Sequence, residues 1–278
     1  MKIGGILPHH AVFHNNHLYV TNCANSEVVV YNDKWTPVRT FGNGILKHPI
    51  GITIIKPTTY GNSFSVVVTD IHLHTLNFFD ENGKLLRQCG LYTGSLFVPL
   101  SVIENRGLLY VVDGIGNRIG LRIRVINAYD GTYIRSFSGN DDVKISIPSC
   151  IAIYDDKIYV PSKGNDCVQV FNLDGLFVCR FGDCCGDSII IPTPFFTYLV
   201  STSPPVSSAS ACFVRIVVAD GHNDRIQIFD GNGILVRSFP LDSLHHRLDT
   251  CGIEQIHGVT YCDGVLAVTC ADGIELYR

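Results

Sequence analysis

Hydrophobic and polar positions alternate along this chain in short runs, and the runs recur as one phrase, six times over. Each copy is an apolar strand, a polar turn and a second strand, followed in most copies by an Asp-Gly or Asn-Gly turn and a third strand. RIVVADGHNDRIQIFDGNGILVRSF, Arg215 to Phe239, is the clearest. Its relatives begin at Leu18, Ser65, Leu109 and Ile158, and a truncated sixth, VLAVTCADGIELYR, begins at Val265. Val28, Val30 and Tyr31 follow one turn and Ile226, Ile228 and Phe229 another. Period-two alternation rich in Val, Ile, Tyr and Phe, broken by Gly, Asn and Asp, predicts strands. Turns such as DGNG at Asp230–Gly233 suit tight hairpins, because Gly and Asn tolerate positive φ. No long stretch has a helical period. A Pro-led segment adjoins most copies: PHHAVF at Pro8, PIGITII at Pro49, PLSVI at Pro99, PSCIAI at Pro148 and PFFTYLV at Pro194, with IHGVTY at Ile256 in the same place. Each supplies a fourth, innermost strand, expected to be short.

A unit of about 40–50 residues with several strands is the mark of a propeller blade. The fold class that follows is all-β: a six-bladed β-propeller with four-stranded blades, residues 1–278 forming one domain. The last copy lacks its outer strand, and Lys2–Ile6 precede the first inner strand. Those residues are expected to complete the last blade, so that both chain ends share one sheet and no ring edge stays unpaired. Two stretches break the rhythm. Asp183–Thr193 lengthens one link, and STSPPVSSASA at 201–211 reads as a mobile loop insertion with little to bury.

Composition narrows the setting. With 46% hydrophobic and 17% charged residues, the chain has the make-up of a globular domain, probes no membrane by any 20-residue apolar run, and needs no staples at this size. MKIGGILPHH is too short and polar for a secretory signal. Eleven cysteines, an odd number, include no C-x-x-C pair, and there is no N-x-S/T sequon; together these point to a reducing, cytoplasmic location. Cys167, Cys179 and Cys212 fall inside predicted strands, where a thiol acts as a small hydrophobe.

ADGHNDRIQIFDGNG resembles the NHL repeat, in which a Pro-x-Gly inner strand leads to an apolar strand ending in Asp, then N-x-R-I-Q-V-F and an Asp-Gly turn. Asp220, Asn223, Arg225, Ile226 and Phe229 fit; Asp113, Asn117 and Arg118 fit in part; Asn165, Val168, Val170 and Phe171 fit without the Arg; blades one and two keep the hydrophobic skeleton. The resemblance implies a six-bladed propeller of a group that includes RNA- and protein-binding domains of tripartite-motif ubiquitin ligases and sensor domains of bacterial kinases. The ligases' RING, B-box and coiled coil are not among these 278 residues. Related six-bladed propellers include the peptide-amidating lyase and the lactonase group.

In a four-stranded blade the turn between strands two and three shares a face, here the loop face, with the link into the next inner strand. His9, His48, His72, His74, His222, His245, His246 and His257 map there, with Cys23, Cys184, Cys185, Cys251 and Cys270; His14 and His17 map to the opposite, hairpin face. His9 and His257 occupy the x position of Pro-x-Gly in neighbouring blades, at the rim of the central channel. The resemblance to the amidating lyase, whose P-H-G/S histidines bind zinc, makes them candidate ligands for Zn or Ca and for metal-dependent lyase or lactonase chemistry. Against that, Ile50, Leu100, Ser149 and Phe195 fill the equivalent places, and a third ligand is not evident unless His10 or Cys251 bends in. Glu254 has no clear acidic or amide partner for a lactonase site. The alternative is two rim histidines bonded to backbone. No hydrolase or nucleotide motif is present. Recurrence of the Asp, Asn and Arg set at 113–118 and 220–225 suits turn capping and ion pairing, since catalysis needs one asymmetric site.

Net charge of −4 offers no general attraction to phosphate. On the loop face Lys47, Arg118, Lys144, Lys163, Arg225 and Arg247 stand against Glu27, Asp70, Asp113, Asp220 and ten other acids, about two acids to each base, which argues against RNA. The favoured reading is therefore a non-enzymatic, monomeric platform, acting as a scaffold that binds a protein or peptide, with no cofactor and no membrane. Its contact residues are expected to be His48, His72, His74, Tyr92, Phe97, His222 and Arg225, with the 183–193 loop.

Overall fold

The structure, a computed structural model, describes residues 1–56, 63–90, 96–114, 121–140, 143–182, 194–202, 213–220, 225–240 and 256–278. It is a six-bladed propeller in which every blade is a four-stranded antiparallel sheet. From the centre outward, blade one is Pro8–His14, His17–Asn22, Glu27–Tyr31 and Pro37–Phe41. Blade two is Pro49–Ile55, Ser65–Asp70, Thr75–Asp80 and Leu85–Cys89. Blade three is Pro99–Asn105, Leu108–Asp113, Arg122–Asn127 and Tyr133–Phe137. Blade four is Ala152–Tyr154, Lys157–Ser162, Cys167–Asn172 and Phe177–Phe181. Blade five is Pro194–Thr202, Phe213–Asp220, Arg225–Asp230 and Leu235–Pro240. Blade six takes Ile256–Cys262, Val265–Cys270 and Gly273–Tyr277 from one end of the chain and Lys2–Ile3 from the other. Among the described residues there is no α-helix, and hence none long and apolar enough to cross a membrane.

Strand alternation puts apolar side chains on both faces of every blade, so the core lies between blades. Tyr19, Val28 and Val30 of blade one meet Val66, Val68 and Phe79 of blade two, and five further clusters repeat the arrangement around the ring. The last of them joins Ile274 and Leu276 of blade six to Leu18 and Val20 of blade one, with Ile3 and Ile6 packed against it. Blade closure follows from local pairing. Lys2 lies opposite Glu275 and Ile3 opposite Ile274. The Leu276 amide donates to the Met1 carbonyl at 2.8 Å, and the Lys2 ammonium pairs with Asp272.

The inner strands are longer than the crowded centre led us to expect: seven residues in blades one, two, three and six. The register shifts just after the leading Pro, or Ile256, in five blades, a bulge at the channel rim. A bulge bends the strand and increases its local twist, which breaks a long inner strand at the rim. In blade four Pro148 forms only an isolated bridge with Ser162 before the three-residue strand begins. Of the insertion expected at 201–211, Ser201 and Thr202 are strand residues paired with Val214 and Phe213; 203–211 lie outside the described residues.

Gly273 marks the closure most sharply. Its φ is +144°, and a Cβ there would lie 2.1 Å from the Ile3 carbonyl oxygen. Gly273→Val therefore both strains the backbone and pushes the first strand off the sheet. We expect a loss of about 3 kcal/mol, read as a clearly lower Tm in thermal denaturation. An unchanged Tm would mean that the two-strand pairing contributes nothing to the ring.

Candidate functional site

Two buried carboxylates organise the loop face over blades two and three. Asp70 ends the second strand of blade two with no exposure. Its Oδ2 accepts the amides of Lys47 and His48 at 2.6 and 3.0 Å, and its Oδ1 those of His72 and Leu73 at 3.0 and 2.9 Å. The link entering the blade and the turn within it are thereby tied to one side chain. Asp113 is the equivalent residue of blade three. Its Oδ1 accepts the amides of Phe97 and Val98 at 2.7 and 2.9 Å, and its Oδ2 takes the Arg124 guanidinium at 2.7 Å, with Arg122 at 3.8 Å. Hydrogen bonds to a carboxylate are stronger than neutral pairs, and both carboxylates are buried. Asn22 and Ser162 do the same work in blades one and four, accepting from Leu7 and Ser146.

The loops so fastened carry four of the expected contact residues. His48 and His72 flank the Asp70 carboxylate, and the Ile71 amide donates to the His48 carbonyl. His74, at φ +57°, is hydrogen-bonded through Nδ1 to the Phe97 carbonyl, and its ring lies near-parallel to the Phe97 ring with centroids 6.2 Å apart. Phe97 remains 42% exposed, unusual for a phenylalanine held this firmly. His48, His72, His74 and Phe97 thus form one patch. Arg225 belongs elsewhere: on blade five it pairs with the buried Asp220 at 2.7 Å. Tyr92, His222, Asn117, Arg118, Asn223 and the 183–193 loop lie outside the described residues.

At the channel, His9 and His257 come together as neighbouring rims should. Their rings are near-parallel, 12° apart with centroids at 5.0 Å. His257 is buried, and its Nδ1 lies 2.8 Å from the Pro8 carbonyl, which can only accept, so the proton sits on Nδ1. A metal shared by two imidazoles lies in both ring planes; stacked rings do not offer that. No group of three or more His, Cys, Asp and Glu placed to hold a metal occurs among the described residues, while Cys251 and Glu254 lie outside them. Thr21 and Thr269 hydroxyls cross between blades, donating to the Ile50 and His9 carbonyls at 2.7 and 2.8 Å. The third histidine, His10, accepts the Ile52 amide on Nδ1 at 3.4 Å, which requires that nitrogen to be unprotonated.

Of these imidazoles, His9 and His10 are held neutral. Burial drives the His10 pKa down to about 4. Burial, then the neighbouring His257, His10 and His48, put His9 well below the ordinary histidine range. Burial likewise pushes the Cys23 thiol to about 12, assisted by Asp70, and its Sγ donates to the Pro49 carbonyl at 2.9 Å. It is no nucleophile at neutral pH.

The acid excess counted on this face shrinks in the structure. Glu27, Asp70, Asp113 and Asp220 are all buried and bonded within the fold. Among the described residues of this face, exposed Asp166 and Asp272 stand against exposed Lys47 and Lys144. The described surface is close to neutral. What sequence reasoning missed is the anchoring role of Asp70, whose signal was an Asp closing the second strand even where the Asn and Arg of the repeat are absent.

No family model matches the chain. It is similar to the human protein named NHL repeat-containing protein 3, with 26% identity over 179 residues, 54% of this chain and 52% of that protein. The chain thus spans about half the length of the curated relative it matches. Among solved structures, virginiamycin B lyase from Staphylococcus aureus superposes with a TM-score of 0.62 at 13% identity, covering 99% of this chain and 96% of that one. A streptogramin B lyase gives 0.61 at 11%, covering 100% and 96%, and a chain of a nidogen/laminin complex gives 0.61 at 16%, covering 85% and 81%. At these identities the likeness is one of fold.

The lowered pKa values of the half-buried His9 and His10 predict acid sensitivity. An unfolded chain binds a proton on each near pH 6.5, whereas folded His10 resists until about 4. Stability is therefore complete above pH 6.5 and falls as pH drops from 6.5 toward 4, by about 3 kcal/mol for His10 alone. His10→Asn keeps an acceptor for the Ile52 amide and removes the titration. Its stability should fall less steeply between pH 6.5 and 4.5, by close to one proton in urea titrations; an unaltered slope would contradict the assignment.

Proposed function

We propose that this chain is a non-enzymatic binding platform of the NHL-repeat group, a monomeric scaffold that recognises a protein or peptide in the cytoplasm through its loop face. The observation that carries the reading is the pinning of two adjoining loops by Asp70 and Asp113, which presents His48, His72, His74 and Phe97 as one fixed surface. A preformed patch with an exposed aromatic centre loses little entropy on binding, and buried aromatics carry much of the energy in protein interfaces. The likeness to a human NHL repeat protein supports the same direction. RNA fits less well: Lys47 and Lys144 are separate, exposed charges and make no basic stripe of the kind counterion release needs.

The test is affinity capture with the purified chain and a His72→Ala/Phe97→Ala variant of equal thermal stability. Proteins retained by the native chain should fall at least tenfold with the variant. Equal retention, or loss caused instead by His17→Ala on the hairpin face, would contradict the reading. A mobility shift with RNA that persists near physiological salt would replace it.

A further inference from the structure

An arginine between blades one and two lacks the partner that its counterparts have. Arg39, Arg87 and Arg135 each stand two residues before the end of an outer strand, in blades one, two and three. Arg87 donates to the Ala128 carbonyl at 2.6 Å and Arg135 to the Leu173 carbonyl, each in the turn that joins the third and outer strands of the next blade. Those turns open on Asn127 and Asn172, whereas the corresponding turn of blade two opens on Asp80. That turn is seated on blade one, since a Cβ on Gly83 would lie 2.5 Å from the Phe41 Cβ. Yet among the described residues Arg39 donates to none of its carbonyls, and the Arg39 Nε is buried without an acceptor. The guanidinium lies beside the Tyr19 hydroxyl, whose pKa burial raises and Arg39 draws back. Burying a donor without an acceptor is costly, so this position calls for an explanation.

Arg39 lines a groove of about 420 Å³ at the rim of the hairpin face. Tyr19, Val30, Val38 and Phe64 give it an apolar wall. Phe64 is fixed there, edge-on to Tyr19 at 86° with centroids 6.0 Å apart and to His14 at 64° and 4.2 Å. Among the described residues, Arg39 and Glu81 are the two full charges of the lining. Both are half-buried, no ion pair joins them, and the Glu81 carboxylate accepts no hydrogen bond among the described residues. Two opposite charges left apart in one partly dehydrated groove select their ligand. A simple anion is drawn by Arg39 and repelled by Glu81, a simple cation the reverse, and a molecule carrying both charges satisfies both.

The geometry points to a binding site for a free α-amino acid with an apolar side chain. Its α-carboxylate takes the Arg39 guanidinium, whose planar fork matches a carboxylate. Its α-ammonium takes the Glu81 carboxylate, and its side chain lies on the wall formed by Val30, Val38 and Phe64. The groove falls within the range of small-molecule sites, about 300–1,000 Å³, and has their usual make-up, apolar walls with a few polar groups that fix orientation. A peptide segment inside a chain carries neither terminal charge and gains nothing from Arg39 and Glu81 together. The site lies on the face opposite the loop-face patch and does not rest on the reading drawn from that patch.

The probes are L-phenylalanine and L-leucine, titrated into the full chain at neutral pH and followed by calorimetry and by NMR shifts at His17 and Phe64. Saturable binding of one molecule per chain is expected. N-acetyl-L-phenylalanine, which lacks the ammonium, and L-phenylalaninamide, which lacks the carboxylate, should each bind at least tenfold more weakly than L-phenylalanine. The Arg39→Gln and Glu81→Gln proteins should each lose at least tenfold in affinity for L-phenylalanine. Glu81→Gln alters a turn side chain with no hydrogen bond or ion pair among the described residues, so its Tm should stay native and its loss of affinity is a lost ligand contact. Binding should survive in the His72→Ala/Phe97→Ala protein. No saturable binding of either amino acid up to its solubility, or binding indifferent to Glu81→Gln or to N-acetylation, overturns the proposal. So does phenylacetate binding as tightly as L-phenylalanine, which would make the groove a plain anion site.

Discussion

Everything in this molecule rests on the burial of both faces of every sheet against the neighbouring sheets. A four-stranded blade with Val, Ile and Phe on both sides is not a stable object by itself; it becomes one when flanked. The six interblade clusters are therefore worth their full value only if the circle is complete. The weakest link by length is Lys2–Ile3, yet it is placed where Ile3 and Ile6 add to the cluster between blades six and one. Closure is thus partly a backbone matter, through Met1 and Leu276, and partly an ordinary hydrophobic one.

The loop face inherits its rigidity from the same ring by a polar route. Links between blades and turns within them leave backbone amides turned toward the ends of the second strands. Asp70 satisfies four of these at once, and Asp113 satisfies two while neutralising the buried Arg124. Taking away either member of such a buried pair leaves an uncompensated charge, a cost of about 3–5 kcal/mol. Repeated acidic residues that could pass for catalytic groups are, in this fold, the fasteners that hold the loops of this face in one shape. The channel histidines His9 and His257 stack between neighbouring inner strands, with His257 hydrogen-bonded to the Pro8 carbonyl.

Much of this was legible in the order of residues. The Pro-led segments marked the inner strands, and the truncated sixth copy together with Lys2–Ile6 announced the shared blade, because a missing strand at one end and a spare one at the other admit a simple solution. The adjacency of His9 and His257 followed from ring order alone. Other features depended on depth, which periodicity does not carry. Asp70, Asp113 and Asp220 look like surface acids in a string of letters and are fully buried in space. Arg124 holds Asp113 because strand pairing sets it opposite Val111, two places before the carboxylate and on the same face of the sheet. Inner-strand length was misjudged because a bulge at the rim is invisible to composition.

Native-state hydrogen exchange tests the closed ring most directly. The Leu276 amide reports the seam, Val268 and Val20 blades six and one, and Val67 blade two beyond them. If closure couples the blades, exchange of these amides in increasing urea converges on one opening free energy with one denaturant dependence, that of global unfolding. If Leu276 and Val268 open together at a much lower free energy while Val67 stays protected, blade six is an appendage, and the ring does not depend on the joining of its ends.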